Sequence, residues 1–207
     1  NTPKYACYYP FFYILAWTGC RIGELLGLTW YDLDFGQEII SINHKITYTK
    51  VDGYYQFVLG QTKTVNGNRE IPMLADVKDI LLELKQAAGW AKISMIGKPE
   101  LSVNDTRPFI FTNSKGKLIP QVTMEHLLQR IIRDYNKQNV DKIERATPHT
   151  FRHTFATRCI ELGFDVKSLS EILGHASVNI TMNRYVHPSM DLKRENMQRL
   201  SDLLAVK

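Results

Sequence analysis

The sequence predicts an α+β fold, mostly helical, with a small antiparallel three-stranded sheet. Three observations predict it. Apolar residues recur at helical spacing through 77–88, 121–138 and 190–206, as in Val77, Ile80, Leu81, Leu84 and Ala87. Residues 38–73 instead hold short β-branched and aromatic runs separated by turn-forming residues. No internal repeat or low-complexity linker divides the 207 residues, so 1–207 reads as one domain.

Taken in order, residues 10–18 (PFFYILAWT) form an apolar helix with Pro10 in its first turn, punctuated by Thr18-Gly19. RIGELLGL (21–28) continues as a short amphipathic helix, with Ile22, Leu25 and Leu26 apolar and Arg21 and Glu24 one turn apart. Asp32, Asp34 and Gly36 mark a turn. Strands follow at 38–43, 45–50 and 54–59, the last two joined by Val51-Asp52-Gly53. Residues 60–73 read as a further hairpin with Asn66-Gly67 at its tip, because both residues tolerate positive φ. A helix covers 77–88, loops or short helices fill 89–106, and PFIFTN (108–113) is a brief strand. After the amphipathic helix 121–138, a helix opens at Pro148 and stops at Gly163. The next segment, 165–175, has Asp165 as N-cap and Gly174 as C-cap. A short helix over 177–187 is ended by Pro188, and 190–206 is a final amphipathic helix.

Composition bounds what such a chain does. With 44% hydrophobic and 23% charged residues it is not an intrinsically disordered chain. A net charge of +5 and a pI near 9.0 permit an anionic partner without demanding one. Cys7, Cys20 and Cys159 lack metal-ligand spacing and cannot all pair, which favours a reducing compartment. The apolar run from Tyr8 to Trp17 is interrupted by Pro10, is too short for a bilayer and lacks the flanks of a signal peptide. A cytoplasmic location with no membrane association is therefore expected. The chain opens without Met and enters an apolar helix almost at once, so it is expected to be cut from something longer.

Four local signals carry the chemistry: TGCRIGELLGL (18–28), Thr62-Lys63-Thr64, HTFRH (149–153), and LGHAS (173–177) followed by Asn183-Arg184-Tyr185. In these signals the chain resembles the catalytic domain of the tyrosine recombinases, the integrase family of phages and conjugative transposons. The family pattern Arg…Lys…His-x-x-Arg…His/Trp…Tyr is met in order by Arg21, Lys63, His149, Arg152, His175 and Tyr185. His175 follows Arg152 by 23 residues and Tyr185 follows His175 by 10. The likeness runs from about residue 12 to 187.

The resemblance implies a site-specific recombinase that breaks and rejoins DNA through a 3′-phosphotyrosine on Tyr185, without metal or nucleotide cofactor. The residue types suit that chemistry. Arginine forks neutralise phosphate oxygens bidentately, which fits Arg21 and Arg152. His149 and His175 can donate to the same oxygens or move protons. Lys63, on a hairpin, is placed to protonate the leaving 5′ oxygen, and Tyr185 is the nucleophile. Glu24 matches an acidic family position and is expected to orient Arg21. The implied partners are double-stranded DNA, further copies of the chain in a tetramer on DNA, and DNA-bending or directionality factors. The family's core-binding and arm-binding domains would lie outside 1–207, and the sequence style leans to bacterial or phage mobile elements.

Other readings stand beside these. Arg21 and Glu24 also fit a surface ion pair worth about 0.3–0.5 kcal/mol. Lys50 and Arg69 are alternative cations near Lys63. His149 and His153 share the i, i+4 spacing of zinc ligands, but Thr150 stands where a metalloprotease helix carries Glu. A type IB topoisomerase would share the chemistry, and a non-catalytic DNA-binding module would share the fold.

Overall fold

The computed structural model describes residues 3–61, 67–88, 108–185 and 190–205. A 3-10 turn leads into α1 (Tyr9–Thr18), with Pro10 in the first turn where its missing N–H costs nothing. Gly19 ends α1 at φ +62, a left-handed conformation that a side chain would also block, since a Cβ there would lie 2.5 Å from the Phe155 ring. α2 (Ile22–Gly27) follows, and Arg21 is its N-cap rather than its first helical residue.

The β segment divides in two. β1 (Leu33–Asp34), β2 (Ile39–Ile42) and β5 (Arg69–Pro72) form an antiparallel three-stranded sheet in the order β1-β2-β5. Among the described residues β3 (His44–Val51) and β4 (Tyr54–Gln61) pair only with each other, as a two-stranded hairpin. A three-stranded sheet is thus present, but 45–50 and 54–59 are not part of it. Residues 60–73 are likewise not a hairpin of their own: Gln61 pairs with His44, whereas Arg69 pairs with Ile42. Pro72 sits at the end of β5 opposite Ile39, a position tolerated because the strand's ladder stops there.

α3 (Ala75–Ala87) and α4 (Gln121–Gln138) follow the predicted stripes. The expected strand at 108–113 is reduced to two isolated bridges, Thr29 with Phe109 and Thr112 with Leu118. α5 (Pro148–Glu161), α6 (Val166–Leu173), α7 (Val178–Tyr185) and α8 (Met190–Ala205) complete the chain. The loop or helix expectation for 89–106 and the Asn66 side of the turn lie outside the described residues.

One core joins Ile14, Leu15, Leu25, Ile40, Ile71, Val77, Leu81 and Met124, drawing on α1 to α4 and the sheet. A second cluster under α5 to α7 contains Ala156, Cys159, Leu169, Leu173 and Tyr185. α2 lies flat on β3 because Gly23 and Gly27 share one face, one turn apart. At Gly23 a Cβ would stand 2.8 Å from the Ile46 carbonyl oxygen and 2.2 Å from the Gln121 amide.

That crowding yields a prediction. Gly23→Ala should destabilise the fold by about 1–3 kcal/mol, because backbone must shift to admit one methyl. Urea unfolding of the two chains measures it, and an unchanged midpoint would refute the close approach.

Candidate active site

The C-terminal end of α6 organises the site. A helix leaves its last carbonyls without intrahelical partners and concentrates partial negative charge there. Three consecutive carbonyls at this end each accept from a different arginine. Arg69 Nε donates to Ile172 at 2.6 Å, Arg152 Nη2 to Leu173 at 2.6 Å, and Arg21 Nη2 to Gly174 at 3.3 Å. Gly174 closes α6 at φ +64, turning the chain directly toward His175. Arg152 is only 2% exposed, and its other terminal nitrogen donates to the Gly19 carbonyl at 2.7 Å. The two left-handed glycines therefore close two helices whose ends meet on one guanidinium.

Glu24 is the acid of this group. It projects from the first turn of α2, where it accepts from the Arg21 backbone N–H at 2.9 Å and from Arg21 Nη1 at 2.8 Å. Arg69 completes a second contact, donating to Oε2 at 2.7 Å and to Oε1 at 3.2 Å. Burial alone would raise the Glu24 carboxyl, but Arg69 and then Arg21 override it and hold it at about 2. Burial lowers Arg152, and repulsion from Arg21 lowers it further, to about 10. At neutral pH three guanidiniums thus face a single carboxylate, leaving the group cationic.

Arg21, Arg152 and His149 line one cavity of about 680 Å³, together with Lys45, Gln121 and Arg145. His149 and Arg152 reach it from the first turns of α5, which is capped reciprocally by Thr147 and Thr150. His149 is exposed; partial burial, then His153 and nearby arginines, lower its pKa. His175 is buried, with Nδ1 2.8 Å from the Thr181 hydroxyl. Burial, followed by Arg152 and Arg21, holds its imidazole at about 4, so it is neutral at physiological pH.

Tyr185 ends α7 and is 7% exposed. Its ring stacks on His175 at 6.2 Å, nearly parallel, and meets His153 at 63° and 5.4 Å. Its hydroxyl is buried without a hydrogen-bond partner among the described residues. The structure therefore gathers Arg21, Glu24, His149 and Arg152 around the cavity, while Tyr185 packs in the second apolar cluster with His175 stacked on its ring. Lys63 lies outside the described residues.

His149 and His153 meet edge to face at 4.5 Å. Among the described residues no group of three His, Cys, Asp or Glu stands together as metal ligands. Arg69 is the site residue that motif reading passes over. Strand alternation could have found it, because Arg69 shares a face with the buried Ile71.

Comparison with known proteins shows the family. The model of the phage integrase family matches residues 1–191. The transposase from transposon Tn916 of Enterococcus faecalis is 33% identical over 190 residues, covering 91% of this chain and 44% of that protein. A XerC-like tyrosine recombinase of Caldanaerobacter subterraneus subsp. tengcongensis is 28% identical over 198 residues, covering 92% of this chain and 48% of its own. The Tn1549 transposon integrase, solved with circular intermediate DNA, is similar at a TM-score of 0.81 and 30% identity, over 97% of this chain and 62% of that chain. XerA recombinase is similar at a TM-score of 0.59 and 26% identity, over 92% and 57%. The chain spans about half the length of the curated relatives it matches.

Two pH-dependent outcomes follow. Glu24 is depressed from 4.5 to about 2, so it stabilises the fold above pH 4.5 and that stability is lost as pH falls toward 2. The shift corresponds to about 3 kcal/mol. Glu24→Ala should cost about 3–5 kcal/mol at pH 7, because Arg69 is left buried and unpaired. His175 is depressed from 6.5 to about 4, so stability falls over that window as the unfolded chain takes up a proton the folded one refuses. Unfolding free energies across pH should show a flatter limb between 6.5 and 4 in His175→Phe, and an identical limb would contradict the assignment.

Proposed function

Because the chain belongs to the phage integrase family of tyrosine recombinases, we propose that it cuts and rejoins DNA strands through a covalent tyrosine intermediate. One observation carries this reading. Arg21 and Arg152 come from distant parts of the chain, yet neighbouring α6 carbonyls hold them at the edge of one cavity. Two fixed guanidinium forks with surplus charge suit the nonbridging oxygens of a phosphodiester.

In the proposed reaction the Tyr185 hydroxyl gives its proton to a neutral imidazole as its oxygen attacks phosphorus. A bond forms between tyrosine oxygen and phosphorus, and the bond to the 5′ oxygen breaks. The leaving oxygen takes a proton, the role assigned to Lys63. The neutral His175 and His149 donate to, or relay protons near, the same phosphate. Attack by another strand's 5′ hydroxyl reverses the sequence and releases the tyrosine. Glu24 sets the orientation of Arg21, with Arg69 keeping that carboxylate ionised. The buried Tyr185 hydroxyl fits a nucleophile withheld until the chain meets DNA.

The proposed partners are double-stranded recombination sites, other copies of the chain in a tetramer, and DNA-bending or directionality factors. Similarity to the Tn1549 transposon integrase, solved with circular intermediate DNA, supports the first. The exposed Met190, Met197, Leu200 and Leu204 of α8 support the second. We place 1–207 as the catalytic domain of a bacterial or phage-encoded cytoplasmic protein. Among the described residues no helix is long and apolar enough to cross a membrane.

A nicked suicide duplex carrying the recombination site should yield a protein–DNA adduct on a denaturing gel, with chelator present, and none with Tyr185→Phe. An adduct retained by Tyr185→Phe would remove the nucleophile assignment, and chelator-sensitive cleavage without an adduct would remove the mechanism. Arg152→Lys should slow cleavage about 10²–10³-fold, since a single ammonium cannot replace the fork. Lys63→Ala should slow cleavage of normal DNA yet spare a substrate with a 5′-thiolate leaving group. Equal loss on both would show that Lys63 is not the acid.

A further inference from the structure

His175 has two ring nitrogens, and its contact with α7 bears on which of them carries the proton. Nδ1 lies 2.8 Å from Oγ1 of Thr181, and both residues are buried, Thr181 completely. Thr181 stands one turn before Tyr185 on the same face of α7. The Tyr185 ring in turn stacks nearly parallel on the His175 ring. Thr181, His175 and Tyr185 are therefore linked by one hydrogen bond, one ring stack and one helical turn.

A neutral imidazole has one N–H and one lone pair, and the hydrogen bond at one nitrogen settles the role of the other. His175 is neutral at physiological pH, because burial and the neighbouring arginines hold it at about 4. Two arrangements fit the contact: Nδ1–H donating to Thr181, or the Thr181 hydroxyl donating to Nδ1. The first strands the hydroxyl proton. A helical threonine can place that proton on the carbonyl four residues earlier, as Thr18 does on Ile14 at 2.7 Å. Thr181 makes no such bond among the described residues, where its one hydrogen bond is to the imidazole. A buried donor without an acceptor carries its full desolvation penalty. The second arrangement gives the hydroxyl proton an acceptor and Nδ1 a donor.

We propose that Thr181 is a positioning residue that fixes the tautomer of His175: its hydroxyl donates to Nδ1, so the imidazole carries its proton on Nε2 and meets the DNA phosphate as a hydrogen-bond donor. In that tautomer Nδ1 is occupied and Nε2 is protonated, so the Tyr185 proton goes to another imidazole. The phosphate role rests on the strand-cleaving function proposed above. The tautomer rests on the Thr181 contact alone.

Two measurements test it. Long-range proton–nitrogen correlation spectra of the chain with isotope-labelled histidine, taken at neutral pH, read the tautomer directly. The His175 signals, identified by their loss in His175→Phe, should show hydrogen on Nε2 and none on Nδ1. Thr181→Val, which keeps the shape and removes the hydroxyl, should shift the Nδ1 resonance. Adduct formation on the nicked suicide duplex should slow about tenfold in Thr181→Val with DNA binding unchanged, and stay within about threefold of wild type in Thr181→Ser. A packing role predicts the reverse order, because serine loses the methyl group and valine keeps it. Hydrogen on Nδ1, or slower cleavage by Thr181→Ser than by Thr181→Val, would overturn this inference alone. A wild-type chain that forms no adduct would overturn the cleavage reading and the phosphate role with it, while the spectrum still decides the tautomer.

Discussion

The last three carbonyls of α6 are the constraint on which the site depends. Guanidiniums brought close together repel, and burying one without acceptors costs several kcal/mol. Here Ile172, Leu173 and Gly174 supply acceptors in sequence, at the end of a helix whose dipole already favours cations. Arg152 can be almost wholly buried only because the Gly19 carbonyl completes its shell from the end of α1. The left-handed turns at Gly19 and Gly174 are thus part of the electrostatics as well as of the chain path.

Glu24 makes the arrangement tolerable without cancelling it. Its two oxygens engage Arg69 and Arg21, leaving Arg152 uncompensated by a carboxylate contact. The surplus positive charge is held rigidly in a cavity, where it cannot relax away from an incoming anion. In the reaction proposed, such preorganisation would stabilise the phosphoryl-transfer transition state. Apolar packing against α5 and α6 keeps Tyr185, at the end of α7, from solvent, and His153 of α5 meets its ring.

Local signals in the sequence foretold most helices. Asp165 caps α6 through the Ser168 N–H, Gly174 closes it, and Pro148 opens α5, all as residue chemistry predicts. The sheet was less legible because pairing is non-local: nothing near Ile42 announces that its partner is Arg69 rather than the adjacent strand. Segment 108–113 has strand composition but finds only single bridges, so propensity yields to tertiary context. At the site, Arg21, Glu24, His149, Arg152, His175 and Tyr185 could be read from spacing and resemblance. Arg69 was legible only as a cation sharing a strand face with the buried Ile71, because the carboxylate that defines its role lies 45 residues away.

In the proposed reaction this cationic cavity presents a DNA phosphate to one tyrosine, Tyr185. Mass-spectrometric mapping of the trapped protein–DNA adduct after nuclease and protease digestion tests it most directly. The account predicts a nucleotide joined through phosphate to Tyr185 and to none of the other tyrosines. A nucleotide on a different residue would contradict it.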